Sequence, residues 1–586
     1  MHTAPHPSYR LGEFTLDAAD RQLLRNGQEV PLRPKAFDTL LCLVERHGHL
    51  VTKDALLDLV WPGTSVSEAV LTHCIAEVRQ ALGDDPRAPR YLRTVSRRGY
   101  KVVAPVDLVE APSHRGPAVA PTRRTPAIAV LPFANLTADP DTEYLCDGIS
   151  EELINGLTRL PDARVVAHTS SFAFKGREVD VRDIGARLDV TVVLEGSVRK
   201  SGDRLRISAQ LIDARNGYHL WAEQYDLAPG DIFAIQEEIA RAVLRELRIE
   251  WLDGLARPVV RPATGSDEAH ALYLRGRYYW HRRYAGFMQR AMECFERAIA
   301  IDPAFALAHT GLADCFGSLG VWAFAPPAAV FPRAQALAER ALAIDDGLAE
   351  AHASRAFVTI FYEWDWAGAE RGLRRALALS PGHALTRLWL GHLLSIVGRM
   401  EEAVTEVTRA WDLDPLSPVV SANVGWTHLL ARDVPCALEV LHRSVALDPL
   451  NAMAYFYLGT THGAAGRYDE AAAMHRKARD IAPEFPGVRE ALGCALALGG
   501  HRDEALALRR ESEAQGRATY VSGVSLSFLQ AALGDIDAAL DSLERAVEAR
   551  DPMLVWLTFM PGAGLAVGRL RTEPRFARLM ERLWPA

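Results

Sequence analysis

The chain has 586 residues, a formal net charge of −8, 49% hydrophobic and 24% charged residues. This length exceeds a single hydrophobic core and predicts roughly three to five structural units of ordinary globular composition. The acidic balance excludes a protein that coats nucleic acid along its whole length, but one basic module is compatible with it.

Positive charge is concentrated near the N-terminus. Residues 1–105 contain 14 Lys and Arg against 12 Asp and Glu, and residues 85–101 contain six against one. Because charge acts locally, this segment predicts a basic surface on an otherwise acidic protein.

The first elements are short strands followed by helices. Strands are predicted over 9–16, 22–25 and 29–32, with Asn26-Gly27 as a hairpin turn. A first helix is predicted from Pro34 to near Gly48, and a second from the N-cap Thr52 to Trp61.

A third helix is predicted after the capping box Ser65–Glu68. Its apolar positions repeat at helical spacing and form one inward stripe, Leu71, Ile75, Val78 and Leu82. The opposite face carries short or hydrogen-bonding residues, namely Thr72, His73, Ala76, Glu77 and Gln80. Side chains of this kind can reach base edges in a major groove.

A β-ribbon is predicted next, with strands Tyr91–Val95 and Gly99–Val103. Arg97 and Arg98 occupy its tip, where no structural role is evident. Such a ribbon suits contact with phosphates or a narrow minor groove.

The run from Leu71 to Val103, with the preceding strands and helices, resembles the effector domain of OmpR/PhoB-type regulators, most closely the receiver-free ToxR/CadC-like branch. The resemblance covers about 100 residues and implies a winged helix whose third helix enters the major groove. It assigns base reading to Thr72, His73 and Glu77. It assigns phosphate contact to Trp61, Arg79, Arg93, Thr94, Arg97 and Arg98.

The third helix departs from this family at Ala76 and Glu77, where basic side chains are common. DNA affinity is therefore expected to depend more on the wing, and Glu77 can accept a hydrogen bond from a cytosine amine. The alternatives are that His73 and Glu77 are only solvated surface groups, or that the domain docks a protein instead of DNA.

Residues 106–126 are predicted to be a flexible linker, since five prolines lie between Pro105 and Pro126 inclusive. CadC-like relatives commonly carry a transmembrane helix in this region, whereas no apolar run here approaches the roughly 18 residues needed to span a bilayer. The N-terminus lacks a signal-peptide core, and the seven cysteines form no C-x-x-C pair. We therefore expect a cytoplasmic protein with no membrane contact.

Residues 127–252 alternate strands and helices. Strands are predicted over 127–133, 164–168, 190–198, 205–213 and 218–225, and helices over 143–160, 181–188 and 233–247. The segments 128–157 and 190–226 resemble the TolB N-terminal-like domain, which implies a βα fold without an established catalytic role. No phosphate-binding loop or H-E-x-x-H motif occurs, so we predict no catalytic residue, cofactor or metal, and no enzyme.

Residues 266–586 show a 34-residue period. The period is carried by prolines (Pro381, Pro415, Pro449, Pro483), glycines (Gly391, Gly425, Gly459, Gly493) and alanines (Ala369, Ala403, Ala437, Ala471, Ala505). This pattern resembles tetratricopeptide repeats, about eight in number, stacked into a curved rod with a concave groove. Aromatic residues are predicted either to line that groove or to fill the core, namely Tyr278, Tyr279, Trp280, Tyr284, Trp364 and Trp366.

The sequence therefore predicts a multidomain α+β protein with an N-terminal winged helix (1–105), a small α/β domain and a C-terminal all-α tetratricopeptide solenoid. The predicted function is that of a one-component transcriptional regulator that binds double-stranded promoter or operator DNA, as a homodimer on half-sites. The repeats would bind a protein or peptide partner. The alternative is a repeat-based scaffold whose contact with DNA is incidental.

Overall fold

The computed structural model describes residues 8–17, 22–25, 28–30, 32, 34–60, 68–85, 89–95, 98–109, 126–137, 142–201, 204–227, 232–247, 259–260, 263–282, 285–517, 519–557 and 564–583. The chain divides into two compact units, residues 1–122 and 123–586. Within the described ranges, no helix has both the length and the apolar character needed to cross a membrane.

A five-stranded antiparallel sheet opens the first unit, in the order β4-β3-β2-β1-β8. Its strands are β1 (Ser8–Leu11), β2 (Phe14–Asp17), β3 (Gln22–Arg25), β4 (Gln28–Glu29) and β8 (Val106–Val109). The single strand predicted over 9–16 is two strands, because Gly12 turns the backbone at a φ of +62°.

The strand β8 corrects the predicted start of the linker. Val106 pairs with Leu11, and Val109 pairs with Ser8, so the chain returns to the first sheet after the wing. These four residues pair with the backbone N–H and C=O groups at the edge of β1. They therefore belong to the sheet and not to the flexible linker.

Three helices and a second sheet complete the winged helix, as predicted. The helices are α1 (Pro34–Glu45), α2 (Lys53–Val60) and α3 (Glu68–Leu82), and the sheet β5-β7-β6 comprises β5 (Val51–Thr52), β6 (Leu92–Val95) and β7 (Gly99–Val102). The Thr52 hydroxyl accepts a hydrogen bond from the Ala55 amide at 3.2 Å, as expected of an N-cap. The predicted turn at Asn26-Gly27, Trp61-Pro62-Gly63 and Ser65 of the capping box lie outside the described residues.

The second unit begins with a mixed sheet in the order β11-β9-β12-β13-β14, with β10 beside β12. Its strands are β9 (Ala127–Val130), β10 (Ala134–Asn135), β11 (Arg164–Val165), β12 (Val192–Ser201), β13 (Arg204–Asp213) and β14 (His219–Leu227). Its helices are α4 (Glu143–Leu157), α5 (His168–Phe172), α6 (Val181–Leu188) and α7 (Ile232–Leu247). The strand predicted over 164–168 is shorter because α5 begins at His168.

Both faces of β9 are buried, which explains its unbroken apolar sequence. Ile128 and Val130 belong to one core with residues of α4 and α7. Ala129 and Leu131 belong to a second core, on the side of α6, that also includes Leu416 of the repeats.

Eight antiparallel helix pairs follow within the described residues. They are α8 (Asp267–Arg282) with α9 (Ala285–Ile301), α10 (Ala306–Val321) with α11 (Pro327–Ile344), α12 (Ala349–Val358) with α13 (Trp366–Leu379), α14 (Ala384–Ile396) with α15 (Met400–Leu413), α16 (Pro418–Leu430) with α17 (Val434–Leu447), α18 (Ala452–Ala464) with α19 (Tyr468–Ile481), α20 (Val488–Leu498) with α21 (Arg502–Gln515), and α22 (Gly523–Ala532) with α23 (Ile536–Glu548). A π-helical turn (Thr359–Glu363) extends α12, and a 3₁₀ turn (Pro552–Trp556), α24 (Gly564–Arg571) and α25 (Pro574–Leu583) end the array.

The periodic residues occupy the positions that the 34-residue pattern predicts. A Cβ on Gly391 or Gly425 would overlap Val407 or Leu441 of the following helix, so the two helices of a pair approach closely there. Pro381 follows the end of α13 by two residues. The tetratricopeptide-like array is confirmed.

The α/β domain and the repeats share buried polar contacts. The Asp414 carboxylate accepts hydrogen bonds from the Ser170 amide (2.9 Å) and hydroxyl (2.6 Å). The Thr158 carbonyl accepts a hydrogen bond from the Gly382 amide at 3.0 Å. Burial raises the pKa of Asp414 to about 6, against the effect of its Ser170 hydrogen bonds. These contacts fix the α/β domain to the repeats, and both belong to the second compact unit.

Repeats that are far apart in the chain contact each other in this array. The centroid of the Trp322 ring lies 5.8 Å from the centroid of the Phe485 ring. Phe485 is several repeats further along the chain. The Arg550 guanidinium also donates a hydrogen bond to the Tyr362 carbonyl at 2.7 Å. Early and late repeats are therefore in contact.

Candidate DNA-binding surface

Helix α3 presents one buried and one exposed stripe. Leu71, Ile75, Val78 and Leu82 are 0–3% exposed, which confirms the inward face predicted from their spacing. On the other side, Thr72, Ala76 and Gln80 are exposed at intervals of four residues, and Glu77 is half-buried. The exposed stripe is small and polar, so a base pair can approach the helix closely.

Arg79 joins α3 to the wing. Its Nη2 donates to the Leu92 carbonyl at 3.0 Å and to the Thr94 hydroxyl at 2.8 Å. The side chain is half-buried, and Thr94 is exposed. Arg79 was predicted to bind phosphate. In the structure it fixes the distance between the exposed stripe of α3 and β6.

Asp84 anchors the chain segment that leads from α3 to β6. Gly83 ends the helix at a φ of +60°, and the Asp84 side chain is buried. Its carboxylate accepts hydrogen bonds from three backbone amides, those of Arg90 (2.7 Å), Tyr91 (3.0 Å) and Leu92 (2.8 Å). A charged acceptor satisfies three donors that would otherwise be buried without partners.

The wing is the antiparallel pair β6 and β7. Val95 pairs with Gly99, and the Arg98 amide donates to the Val95 carbonyl at 3.0 Å, which closes the turn. A Cβ on Gly99 would overlap the Val51 carbonyl, so β5 can approach the wing only because this residue is glycine. Arg98 is exposed at the tip, as predicted.

A pair of basic residues lies within the wing. Arg93 pairs directly with Lys101 across the two strands, and Arg93 is exposed. Like charges placed opposite each other destabilise a sheet, and a phosphate group nearby would relieve the repulsion. Lys101 was not among the residues predicted to contact DNA, although the register of the hairpin places it beside Arg93.

The structure brings three of the nine predicted residues together at one cleft. Thr72 and Arg79 of α3 and Thr94 of β6 line an open cleft, together with Gln80 and Tyr100. Glu77 lies on α3 but does not line this cleft. His73 lies in α3, but its side chain is outside the described residues, as are Trp61 and Arg97. Their predicted contacts with DNA stay predictions.

We expect Asp84→Ala to open the wing, because it leaves three amides without their acceptor and lowers local stability by about 4 kcal/mol. Hydrogen–deuterium exchange of the full-length chain should show faster exchange in β6 and β7. An exposed acidic residue at the end of α1 gives the control, Glu45→Ala, which should leave exchange in β6 and β7 unchanged. Equal exchange in both variants would show that Asp84 does not hold the wing.

Two groups of side chains have donor atoms close enough for a metal ion. The first group is Glu151, His168 and His281. The second is His428 in the last turn of α16, Asp433 in the following loop and Cys436 at the start of α17. In the first group, Arg277 already occupies Glu151 with hydrogen bonds of 2.6 and 2.8 Å. The second group is half-buried, and its Asp433 caps α17. Neither group supports a metal centre.

Comparisons with known proteins agree with this geometry. Residues 27–102 match the family model described as "Transcriptional regulatory protein, C terminal". "Transcriptional regulator HilA" of Salmonella typhimurium is 23% identical over 413 residues, which cover 70% of this chain and 71% of HilA. "Transcriptional activator CadC" of Escherichia coli is 37% identical over 101 residues, 17% of this chain and 20% of CadC. The solved DNA-binding domain of E. coli CadC is 34% identical and covers 18% of this chain and 100% of that domain, with a TM-score of 0.17.

A further relative has the name of an enzyme. "Putative adenylate cyclase 3" of Rhizobium meliloti is 41% identical over 187 residues, 32% of each chain. The chain thus spans about a third of the length of this relative. The expectation that the chain is not an enzyme stays a prediction.

The fold, the family match and the regulators that align with the chain agree at one point. The N-terminal unit is a winged-helix domain that matches the C-terminal domain of transcriptional regulatory proteins, and the chain is similar to the regulators HilA and CadC.

Proposed function

We propose that this regulator reads a specific operator with the exposed stripe of α3 while the wing holds the flanking phosphates. The first observation that carries the proposal is the exposed stripe Thr72, Ala76 and Gln80, which lines a cleft together with Thr94 of the wing. The second is the basic pair Arg93 and Lys101 on the two strands of that wing. Glu77 and His73 would add base contacts, and Trp61, Thr94, Arg97 and Arg98 phosphate contacts. Arg79 would contact a phosphate while it keeps its hydrogen bonds to Leu92 and Thr94 of β6.

The proposal extends to the rest of the chain. The regulator acts in the cytoplasm, where bacterial operators lie, and binds half-sites one helical turn apart as a homodimer. The α/β domain is of TolB N-terminal-like type, has no catalytic role and is fixed to the repeats. The repeat array receives a partner or signal and changes operator occupancy or polymerase recruitment.

Genome-wide footprinting with and without residues 127–586 tests the role of the second unit. We expect the truncated chain to keep binding DNA, since residues 1–122 form their own compact unit, but to lose selective occupancy or transcriptional output. If truncation changed neither the occupied promoters nor their transcription, the second unit would have no role in regulation.

The second candidate function is a scaffold formed by the repeats, whose contact with DNA is incidental. The 34-residue array, which makes up more than half of the chain, favours it. A scaffold would keep its effect in cells when the wing no longer binds DNA, whereas a regulator would lose it.

A further inference from the structure

The repeat array contains a partly open cavity of about 130 Å³. Nine aromatic rings of its wall form a continuous series, in which the centroids of neighbouring rings are 4.8–6.4 Å apart. The series runs from Trp389 through Trp556, Trp426 and Tyr457 to Phe485 and Trp322. They come from at least five repeats, so the cavity exists only in the assembled array.

The aromatic residues predicted either to line the groove or to fill the core occupy both kinds of position. Trp280 lines this cavity. Trp364 instead packs below the Arg550 guanidinium at 5.4 Å, and Tyr278 and Tyr279 contact each other at 5.6 Å. Trp366 packs at the edge of the core, and Tyr284 lies outside the described residues.

The size and wall of the cavity suit a flat ring. An apolar cavity of about 150 Å³ is large enough for benzene. Ring pairs are attractive at centroid distances of 4.5–7 Å, in stacked or edge-to-face arrangements. Both arrangements are present here, since Trp426 stacks on Tyr457 and meets Trp556 edge-on.

The cavity is unsuited to an anion. Among the described residues that line it there is no Lys or Arg, and Asp314 is the only acidic side chain. Asp314 accepts a hydrogen bond from the Ser354 hydroxyl at 2.5 Å and interacts electrostatically with the buried Arg277. A phosphate or carboxylate would lose its hydration there without gaining a cation.

His392 is a polar residue of the cavity wall. His392 is 8% exposed, and within the described part of the chain its Nε2 has no hydrogen bond. Burial lowers the pKa of His392 to about 4, so the ring is neutral at pH 7. Its ring meets that of Trp556 edge-on at 5.4 Å. A buried ring nitrogen without a partner is costly, and a ligand group that bonds to it would remove the cost.

We propose that this cavity binds a small uncharged molecule that has a flat conjugated ring and one N–H or O–H group, held between the aromatic rings and hydrogen-bonded to His392. The site does not depend on DNA binding. A regulator and a scaffold would both carry it.

Isothermal titration of the full-length chain with three related compounds tests the ligand class. Indole has the ring and an N–H group, indene lacks the N–H group, and indole-3-carboxylate adds a negative charge. We expect saturable 1:1 binding of indole with a Kd on the order of 100 µM. Indole-3-carboxylate should bind at least tenfold more weakly, because its charge has no partner.

The variant His392→Phe keeps a ring against Trp556 but removes the nitrogen. We expect indole affinity to fall about tenfold and indene affinity to stay the same, because only indole loses a hydrogen bond. The matched control is His442→Phe, since His442 is an exposed histidine on α17. It should bind all three compounds like the unmodified chain.

Three results would overturn the inference. The first is the absence of saturable binding by both indole and indene. The second is equal affinity for indole and indole-3-carboxylate. The third is binding of the aromatic peptide acetyl-Trp-Phe-amide without binding of indole, which would assign the cavity to a protein partner.

Discussion

Arg98→Glu is expected to lower the affinity of the full-length chain for a 40-base-pair duplex of random sequence by roughly tenfold or more. Phosphate contacts do not depend on base sequence, so the unknown operator is not needed. The same change should reduce the slope of log K against log salt by roughly one to two, since a cation is lost and an anion gained. Arg93→Glu should act in the same direction, because Arg93 lies in the same wing.

The control for this prediction is Arg10→Glu. Arg10 is exposed on β1, in the five-stranded sheet, and its reversal changes the net charge of the chain by the same amount. If DNA binding depends on the wing, Arg98→Glu weakens it far more than Arg10→Glu does. Equal effects of both variants would mean that net charge, and not the wing, determines affinity. Loss of DNA binding with an unchanged effect in cells would favour the scaffold.

The fold followed from patterns that are local in the sequence. The inward face of α3 could be predicted because four apolar residues at helical spacing have one way to be buried together. The repeats could be predicted because Gly391 and its equivalents recur at 34-residue intervals, and each helix crossing needs a residue without a Cβ. Each pattern directly predicts how an element packs against its neighbour in the chain.

The details of the site depend on contacts between distant residues. Nothing next to Arg79 in the sequence indicates that its guanidinium bonds to Leu92 and Thr94, and the three bonds of Asp84 form only when the loop after α3 folds back. Val106–Val109 lies beside a proline-rich segment, and only the free edge of β1 makes it a strand. The cavity could not be predicted for the same reason. Trp556 contacts Trp426 only in the assembled array.

Arg277→Met is expected to destabilise the second unit by about 3–5 kcal/mol, because it leaves a buried charge without its partner. The Glu151 side chain is 7% exposed, and its carboxylate oxygen lies 2.6 Å from the Arg277 guanidinium and 3.0 Å from His281. Burial alone would raise the pKa of Glu151, but Arg277 and His281 outweigh it and hold that pKa well below its usual range. Glu151 is therefore ionised in the folded chain, at the contact between α4 and the first repeat.

The double variant Glu151→Gln/Arg277→Met should recover most of this loss, because it removes both charges and leaves an amide of similar shape. The midpoint of urea unfolding, followed by tryptophan fluorescence of the full-length chain, measures the effect. Arg374→Met provides the control, since Arg374 forms an exposed pair with Glu370 at 2.7 Å and such pairs contribute about 0–1 kcal/mol. A double variant as unstable as Arg277→Met would show that Arg277 acts through its packing on Trp280, at 4.8 Å, and not through the charge of Glu151.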